Sequence, residues 1–436
     1  MACGRSFHPQ GIAIITWSIA TSGFNASDEL QQAIFSEATR RIGEFNQQGL
    51  SNLAWACTVI NTSDRFPAKL YEAIAVQCIE VLETFNQQGL ANLLWSFAKQ
   101  GVAADDLFRA VIPHVLDSTR QGTITAHSLV SIVWSYAVLG YAPRGLYGPL
   151  AAVARARLDE LTAQGLANLA WAYAVADVAG PEVDALFGDG AFVEQCAVDI
   201  GEARAYSSEG STAHEHLRQL HQWQLWRDER AAAALQRDDP GSVWPALPEP
   251  MREQAAHTFS SLEVSPSEFQ RQVYVVVRSL GLAPVHEVTT ALGYSLDIVA
   301  RVPSTDVCEM TAAEAGFADA ALAAVELPPC RPLIDDAGVF PGDPSSFLVG
   351  IEVDGPTHFL HRSTRPSGST ILKRRQLQRA GWRLVAVPYF EWRETSKYAR
   401  SREERIENRR RYVAQLLGVK YEPLNDDDPL NNEKSL

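Results

Sequence analysis

Apolar positions in the first 180 residues recur on two nested periods. Within GLANLLWSFAKQG (89–101), Leu90, Leu93, Leu94 and Phe97 fall at i, i+3, i+4 and i+7, one face of an α-helix. The block returns as GIAIITWSIATSG (11–23), GLSNLAWACTVIN (49–61), SLVSIVWSYAVLG (128–140) and GLANLAWAYAVAD (165–177). Its tryptophans, Trp17, Trp55, Trp95, Trp134 and Trp171, are spaced by 38, 40, 39 and 37 residues. Between the blocks lies a second amphipathic segment, such as PAKLYEAIAVQCIEVL with Leu70, Ile74, Cys78 and Val81 on one stripe. The pattern predicts about five helix pairs. Such units cannot bury their apolar faces singly, so they stack into an all-α solenoid with a long concave surface. The glycine of FNQQGL is expected at the bend between units.

The tryptophans sit within the apolar stripe, which predicts core packing. Asn52, Asn92 and Asn168 precede three of them by three positions. One polar residue per repeat suits the reading of one base per repeat, and it equally suits an asparagine bonded to the neighbouring unit. Both readings stay open here.

After residue 200 the pattern changes. A helix is expected near 205–237, with Leu217, Leu220, Trp223 and Trp226 on one face, and DDPGSVWPALPEP then reads as a linker. His214, His216 and His221 lack acidic or cysteine partners at ligand spacing. From Ser265 the order is helix, an extended turn through HEVTTALG, strand (YSLDIVAR), a long irregular stretch, strand (SFLVGIEVDG), helix (TILKRRQLQRAG), strand (WRLVAVPYFEW) and a closing helix, an α/β layer. The chain is therefore expected to be multidomain: a repeat array over 1–200, a connector and linker over 201–250, an α/β domain over 251–420 interrupted at about 302–345, and an acidic tail over 421–436.

Charge sharpens this division. The 436-residue chain carries a net charge of −14, which argues against a polyanion partner for the molecule as a whole. Between Ile351 and Lys420, however, 16 Lys and Arg face 7 Asp and Glu, a balance of +9 that leaves −23 for the remainder. A local field decides where a polyanion docks. Six cysteines without a CxxC pair argue against zinc and against a disulfide framework, and fit a reducing compartment. No run of about 18 apolar residues predicts a membrane span. The opening MACGRSFHPQGIAIITW lacks the blocks of a secretory signal and the Arg- and Ser-rich character of a transit peptide.

The candidate chemistry centres on IEVDGPTHF (351–359). Glu352 and Asp354 stand two apart on a strand and so point the same way. Lys373, Arg374, Arg375 and Arg379 lie within two helical turns, followed closely by Trp382, Tyr389, Phe390 and Trp392. Cations beside flat rings are the ingredients of single-stranded nucleic-acid binding, where charges hold phosphates and rings stack on bases. Trp382, which opens an apolar strand, suits the core equally well.

The ordered string FQRQVYVVVRSLG, GYSLDIVA, IEVDGPTHF, TILKRRQLQRAGW and LVAVPYFEW resembles the RAP domain of organellar RNA-metabolism proteins, over about Ser265 to Leu417 apart from the interruption. The tryptophan repeats are similar, more loosely, to octotricopeptide-type arrays. The RAP domain is in turn similar to the restriction-endonuclease-like PD-(D/E)XK fold. That resemblance implies a divalent-metal site, Mg²⁺ or Mn²⁺, held by Asp297, Glu352 and Asp354, with Asp354 standing where the fold has its lysine. Lys373 would substitute for that lysine and His358 would act as general base. It equally implies a nuclease-derived fold that binds single-stranded RNA, through Lys373, Arg374, Arg375, Arg379, Trp382, Tyr389 and Trp392, and needs no cofactor. In that case the acids only tie the strand end to Arg374 or to backbone donors. A mitochondrial or chloroplast setting follows from the resemblance alone. A protein–protein scaffold built on the acidic array is a further reading.

Overall fold

A computed structural model describes residues 8–60, 67–206, 212–239, 243–261, 265–303 and 346–423. The described residues form seventeen α-helices and one four-stranded mixed sheet. They divide into two compact units, one of Met1–Ala255 with Phe359–Ile371, the other of Ala256–His358 with Leu372–Leu436. The interruption and most of the acidic tail expected from the sequence lie outside the described residues.

In the first unit the tryptophan blocks form helices α1 (Pro9–Ser22), α3 (Gln47–Ile60), α5 (Gln87–Lys99), α7 (Ala126–Val138) and α9 (Ala163–Ala176). The second segments form α2 (Asp28–Arg40), α4 (Ala68–Glu80), α6 (Asp105–Arg120), α8 (Tyr147–Ala156) and α10 (Pro181–Gly188). Each first helix packs on the next first helix and, from α2 to α10, each second helix on the next second helix. The element starts are dictated locally. Asn46 and Asn86 cap α3 and α5, their Oδ1 atoms accepting from the Gly49 and Gly89 amides at 2.8 Å, and Thr125 and Thr162 cap α7 and α9 in the same way. The glycine of FNQQGL is thus not the bend. It lies in the first turn, where a Cβ at Gly89 would come within 3.2 Å of the capping Asn86 Oδ1. Tyrosines tie the helices within and between pairs: the Tyr71 hydroxyl donates to the Ala54 carbonyl of its own pair at 3.0 Å, and those of Tyr136 and Tyr173 donate to the Phe108 and Tyr147 carbonyls of the preceding pair at 2.6 and 2.7 Å.

The tryptophans depart from the core role read in the sequence. Leu53, Leu93, Ile132 and Leu169 are fully buried, whereas Trp55, Trp95 and Trp134, two positions on, are only partly covered, and Trp17 is exposed. The 100° step per residue carries each indole to the flank of the stripe. Trp171 alone of the five is buried. Asn168 accepts a 3.0 Å hydrogen bond from Gln219 of α12 (Thr212–Gln236), the helix packed on α9.

Two further segments belong to this unit by their contacts. Trp244, in the stretch read as a linker, is buried against Phe187 and Trp226, with the Arg230 guanidinium 4.4 Å from its ring centre. Residues 359–371 return to the ends of the first helices. The His361 amide donates to the Gly101 carbonyl at 2.8 Å, and Arg365 donates to the Leu139 carbonyl at 2.8 Å and to Asp105 at 3.0 Å. Arg365 also lies 4.2 Å from the centre of the Tyr141 ring.

In the second unit, β1 (Val285–Thr289), β2 (Ser295–Pro303), β3 (Ser346–Asp354) and β4 (Arg383–Pro388) pair in that order, antiparallel except for the parallel β3–β4 pair. VHEVT is thus a strand and not part of a turn. A parallel pair needs a crossover, supplied here by α15 (Gly368–Arg379). Alternate residues Val349, Ile351 and Val353 enter a core with Ile298, Ala300 and Val302 of β2 and valines of α14 (Glu268–Ser279). That core is closed by Ile406 and Val413 of α17 (Arg402–Leu417). The last expected strand stops at Pro388, where Tyr389–Glu394 turn into a short helix, α16.

Candidate functional site

The period of two that sends Ile351 and Val353 into the core sends Glu352 and Asp354 to the other face of β3. Both are nonetheless buried, 2% and 1% exposed. β2 and β3 register Ile298 opposite Ile351, so Asp297 and Glu352 are the next positions along the two strands. Asp297 Oδ2 accepts from the Val353 amide at 2.6 Å. The acids therefore meet at neighbouring strand ends, and α15 brings cations to them. Lys373 Nζ lies 2.6 Å from Glu352 Oε2, and Arg374 Nη2 bonds Asp354 Oδ2. His358, in the turn that follows β3, places Nδ1 3.1 Å from Asp354 Oδ1.

Burial raises the cost of each charge. The Glu352 carboxyl is pushed up to about 7, first by desolvation and further by Asp297 and Asp354, against the pull of Lys373. Its Oε1 is buried without a hydrogen-bond partner. The His358 imidazole is held above its ordinary range, chiefly by its bond to Asp354, with burial opposing. A fourth acid, missed in the sequence, adjoins the group. Glu287 of β1 accepts from Ser295 Oγ at 2.9 Å, its carboxyl is raised by burial and by Asp297, and its backbone stands at φ 51°. Its strand alternation was the available signal, obscured by reading HEVTTALG as a turn.

Asp297, Glu352, Asp354, His358 and Lys373 are thus brought together. The oxygen donors are of the type Mg²⁺ or Mn²⁺ takes. Their placement does not fit an ion: Glu352 and Asp354 face cations of the chain itself, Asp297 holds a backbone amide, and no three His, Cys, Asp or Glu groups among the described residues share a ligand point.

The residues expected to grip RNA differ in exposure and in what they touch. Lys373 and Arg374 are turned to the acids, Arg375 is half-buried, and Arg379 is exposed. Trp382 and Tyr389 are half-buried, the latter with Arg393 5.2 Å from its ring centre. Trp392 is core: its indole packs near Phe269, donates to Gln272 Oε1 at 3.3 Å and carries the Arg409 guanidinium 4.6 Å from its ring centre. No ring face is left for a base, which corrects the stacking role read for it. The exposed cations Arg383 and Arg411, not singled out in the sequence, also lie by rings, 4.5 Å from Phe347 and 5.5 Å from Tyr421.

Residues 351–407 match the RAP domain, a span that takes in Glu352, Asp354, His358 and all of the basic helix but not Asp297. A 44-residue stretch is 43% identical to the "RAP domain-containing protein, chloroplastic" of Oryza sativa subsp. japonica, covering 10% of this chain and 7% of that relative's length. The chain carries a RAP domain, set where the mixed sheet lies in an otherwise mostly helical protein. No helix among the described residues is long and apolar enough to cross a membrane.

Proposed function

We propose that this protein binds single-stranded RNA through its RAP domain, without cutting it, as part of organellar gene expression. The observation that carries this reading is a coincidence of position. The RAP match falls on the stretch where Lys and Arg exceed Asp and Glu by nine in a chain that is otherwise acidic. The sheet with its crossover helix is read as a nuclease-derived, restriction-endonuclease-like core. Its acids serve the fold: Glu352 and Asp354 fasten α15 to β3 through Lys373 and Arg374. Phosphate contact then falls to exposed cations beside rings, Arg383, Arg393 and Arg411, together with Arg379. The helix pairs are read as an α-solenoid that lends length to the contact, or that binds protein partners. The chloroplastic name of the rice relative supports an organelle, mitochondrion or chloroplast, as the setting. Binding of labelled single-stranded RNA that weakens steeply with salt tests the reading, and affinity independent of salt would overturn it.

A second reading, a metal-dependent endoribonuclease, draws on one observation, the unpartnered Oε1 of Glu352 beside Asp297 and Asp354. Cleavage assays with Mg²⁺ or Mn²⁺ on the parent, Asp297→Ala and Glu352→Ala proteins decide it. Equal cleavage by all three would assign the activity to a contaminant.

A further inference from the structure

The fifth repeat shows what three earlier repeats leave open. On each first helix the residue three positions before the tryptophan shares a face with the indole. In α9 that residue, Asn168, is engaged: its Oδ1 accepts from Gln219 Nε2 at 3.0 Å, and Trp171 is buried on the helix against which α12 packs. In α3, α5 and α7 the corresponding pairs are Asn52 with Trp55, Asn92 with Trp95 and Ser131 with Trp134, all half-buried. Among the described residues the side-chain amides of Asn52 and Asn92 hold no hydrogen bond. Exposed Gln48 and Gln88 stand four positions before these asparagines, on the same face. α3 packs on α5 and α5 on α7, so the pairs fall on successive neighbouring helices as a row of polar groups flanked by indoles. These helices are nearly uncharged. Lys99 is the only Asp, Glu, Lys or Arg in the five first helices, whereas residues 1–200 as a whole carry 11 Lys and Arg against 19 Asp and Glu.

We propose that this face docks an extended, lysine- or arginine-bearing peptide segment of a partner protein, its main chain pairing with Asn52 and Asn92 and its cationic side chains lying on Trp55, Trp95 and Trp134. Three observations favour this occupant. Gln219 shows the group that the asparagine position takes, an amide N–H donated to Oδ1, and a peptide main chain offers such a group at every residue except proline. The carboxamide also donates, so one asparagine meets both an N–H and a C=O of the segment. A nucleic-acid strand, by contrast, brings a negative charge with each phosphate, and the five first helices hold one Lys and no Arg within an acidic array. A peptide that carries Lys or Arg is drawn by that same acidity, and its cations gain further by lying over indole faces. The inference rests on reading the helix pairs as one stacked array that binds protein partners.

The test presents a displayed library of short random linear peptides to the full chain. Selected sequences are expected to be rich in Lys and Arg, and their synthetic copies to bind Asn52→Ala with Asn92→Ala about tenfold more weakly than the parent, through the lost main-chain hydrogen bonds. Both substitutions favour the helix and break no internal bond, so the double variant keeps the helical circular dichroism of the parent. Methylating the peptide's backbone amides should weaken its binding to the parent by a similar factor and to the double variant hardly at all, the mark of a direct coupling. A library that yields no binder overturns the inference, as does a peptide affinity that the double variant leaves intact. Single-stranded RNA that binds the parent and fails on the double variant overturns it too, by giving the face to a nucleic acid. Hydrogen exchange separates these results from failure of the array: protection of α3 that is uncoupled from α5 would refute the stacking, whereas coupled protection without a binder refutes only the docking.

Discussion

Lys373 Nζ stands 2.6 Å from Glu352 Oε2, an ion pair in which the carboxylate is almost wholly buried and the ammonium about three-quarters so. Severing a buried pair leaves one charge uncompensated, and Glu352 can relieve part of that cost by taking up a proton. Lys373→Met is therefore expected to destabilise the protein by roughly 3 kcal/mol, the low end for broken buried pairs. Lys373→Met with Glu352→Leu should recover most of the loss, since two apolar groups leave nothing unpaired. Urea midpoints at constant slope measure both, and additive losses would refute the pairing.

The same cluster sets a pH dependence. A carboxyl raised from 4.5 to about 7 in the folded state favours folding while it is protonated, so its contribution is complete below about pH 4.5 and lost as pH rises through 7. The size is on the order of 3 kcal/mol. His358, raised by Asp354, acts with the same sign: its contribution is present below the ordinary histidine range and disappears as pH passes its folded value. Asp297 and Asp354 oppose ionisation of Glu352, and Lys373 favours it. Stability is thus expected to fall between pH 5 and 8, as read by denaturant titration. Glu352→Gln should flatten most of that slope.

How much of this was legible in the sequence depended on whether a pattern is local. The helix pairs could be read because their burial repeats within each block, and the convergence of Asp297 with Glu352 because strand alternation carries across a paired sheet. The side of the stripe on which each tryptophan falls could not, since Leu53 and Trp55 are equally apolar and only the neighbouring helices distinguish them. Nor could the fate of the basic helix: LKRRQLQR reads as a phosphate-binding face, yet its first two cations are turned to buried acids 21 and 20 residues earlier. Trp392 was misassigned for a related reason. Its ring follows the basic helix closely in sequence, while the turn into α16 after Pro388 directs it into the core.

Arg365 and Gly368 make a prediction within the first unit. Arg365 satisfies the Leu139 carbonyl at the end of α7, pairs with Asp105 and stacks on Tyr141, and Asp105 is held below its ordinary range by the Tyr141 hydroxyl and then by Arg365. A Cβ at Gly368 would collide with the Ala137 carbonyl, which is backbone and cannot swing aside. Gly368→Ala is expected to cost about 1–3 kcal/mol by overpacking, and Arg365→Ala about 1–2 kcal/mol through the orphaned carbonyl. Thermal unfolding checks both; a Gly368→Ala protein as stable as the parent would show that this approach is not close in solution.

RNA binding separates the cations that hold the fold from those that meet phosphate. Arg383, Arg393 and Arg411 are exposed beside Phe347, Tyr389 and Tyr421, so each can offer charge and a neighbouring ring to a strand. The triple alanine variant is expected to weaken single-stranded RNA binding and to reduce the slope of log affinity against log salt by about 0.7 for each lost phosphate contact. Lys373→Met, whose ammonium is committed to Glu352, should lower stability but leave that slope unchanged at a temperature where the variant is folded. A salt slope that falls in Lys373→Met and not in the triple variant would reverse the assignment, making the basic helix the phosphate contact and its ion pairs exchangeable on binding.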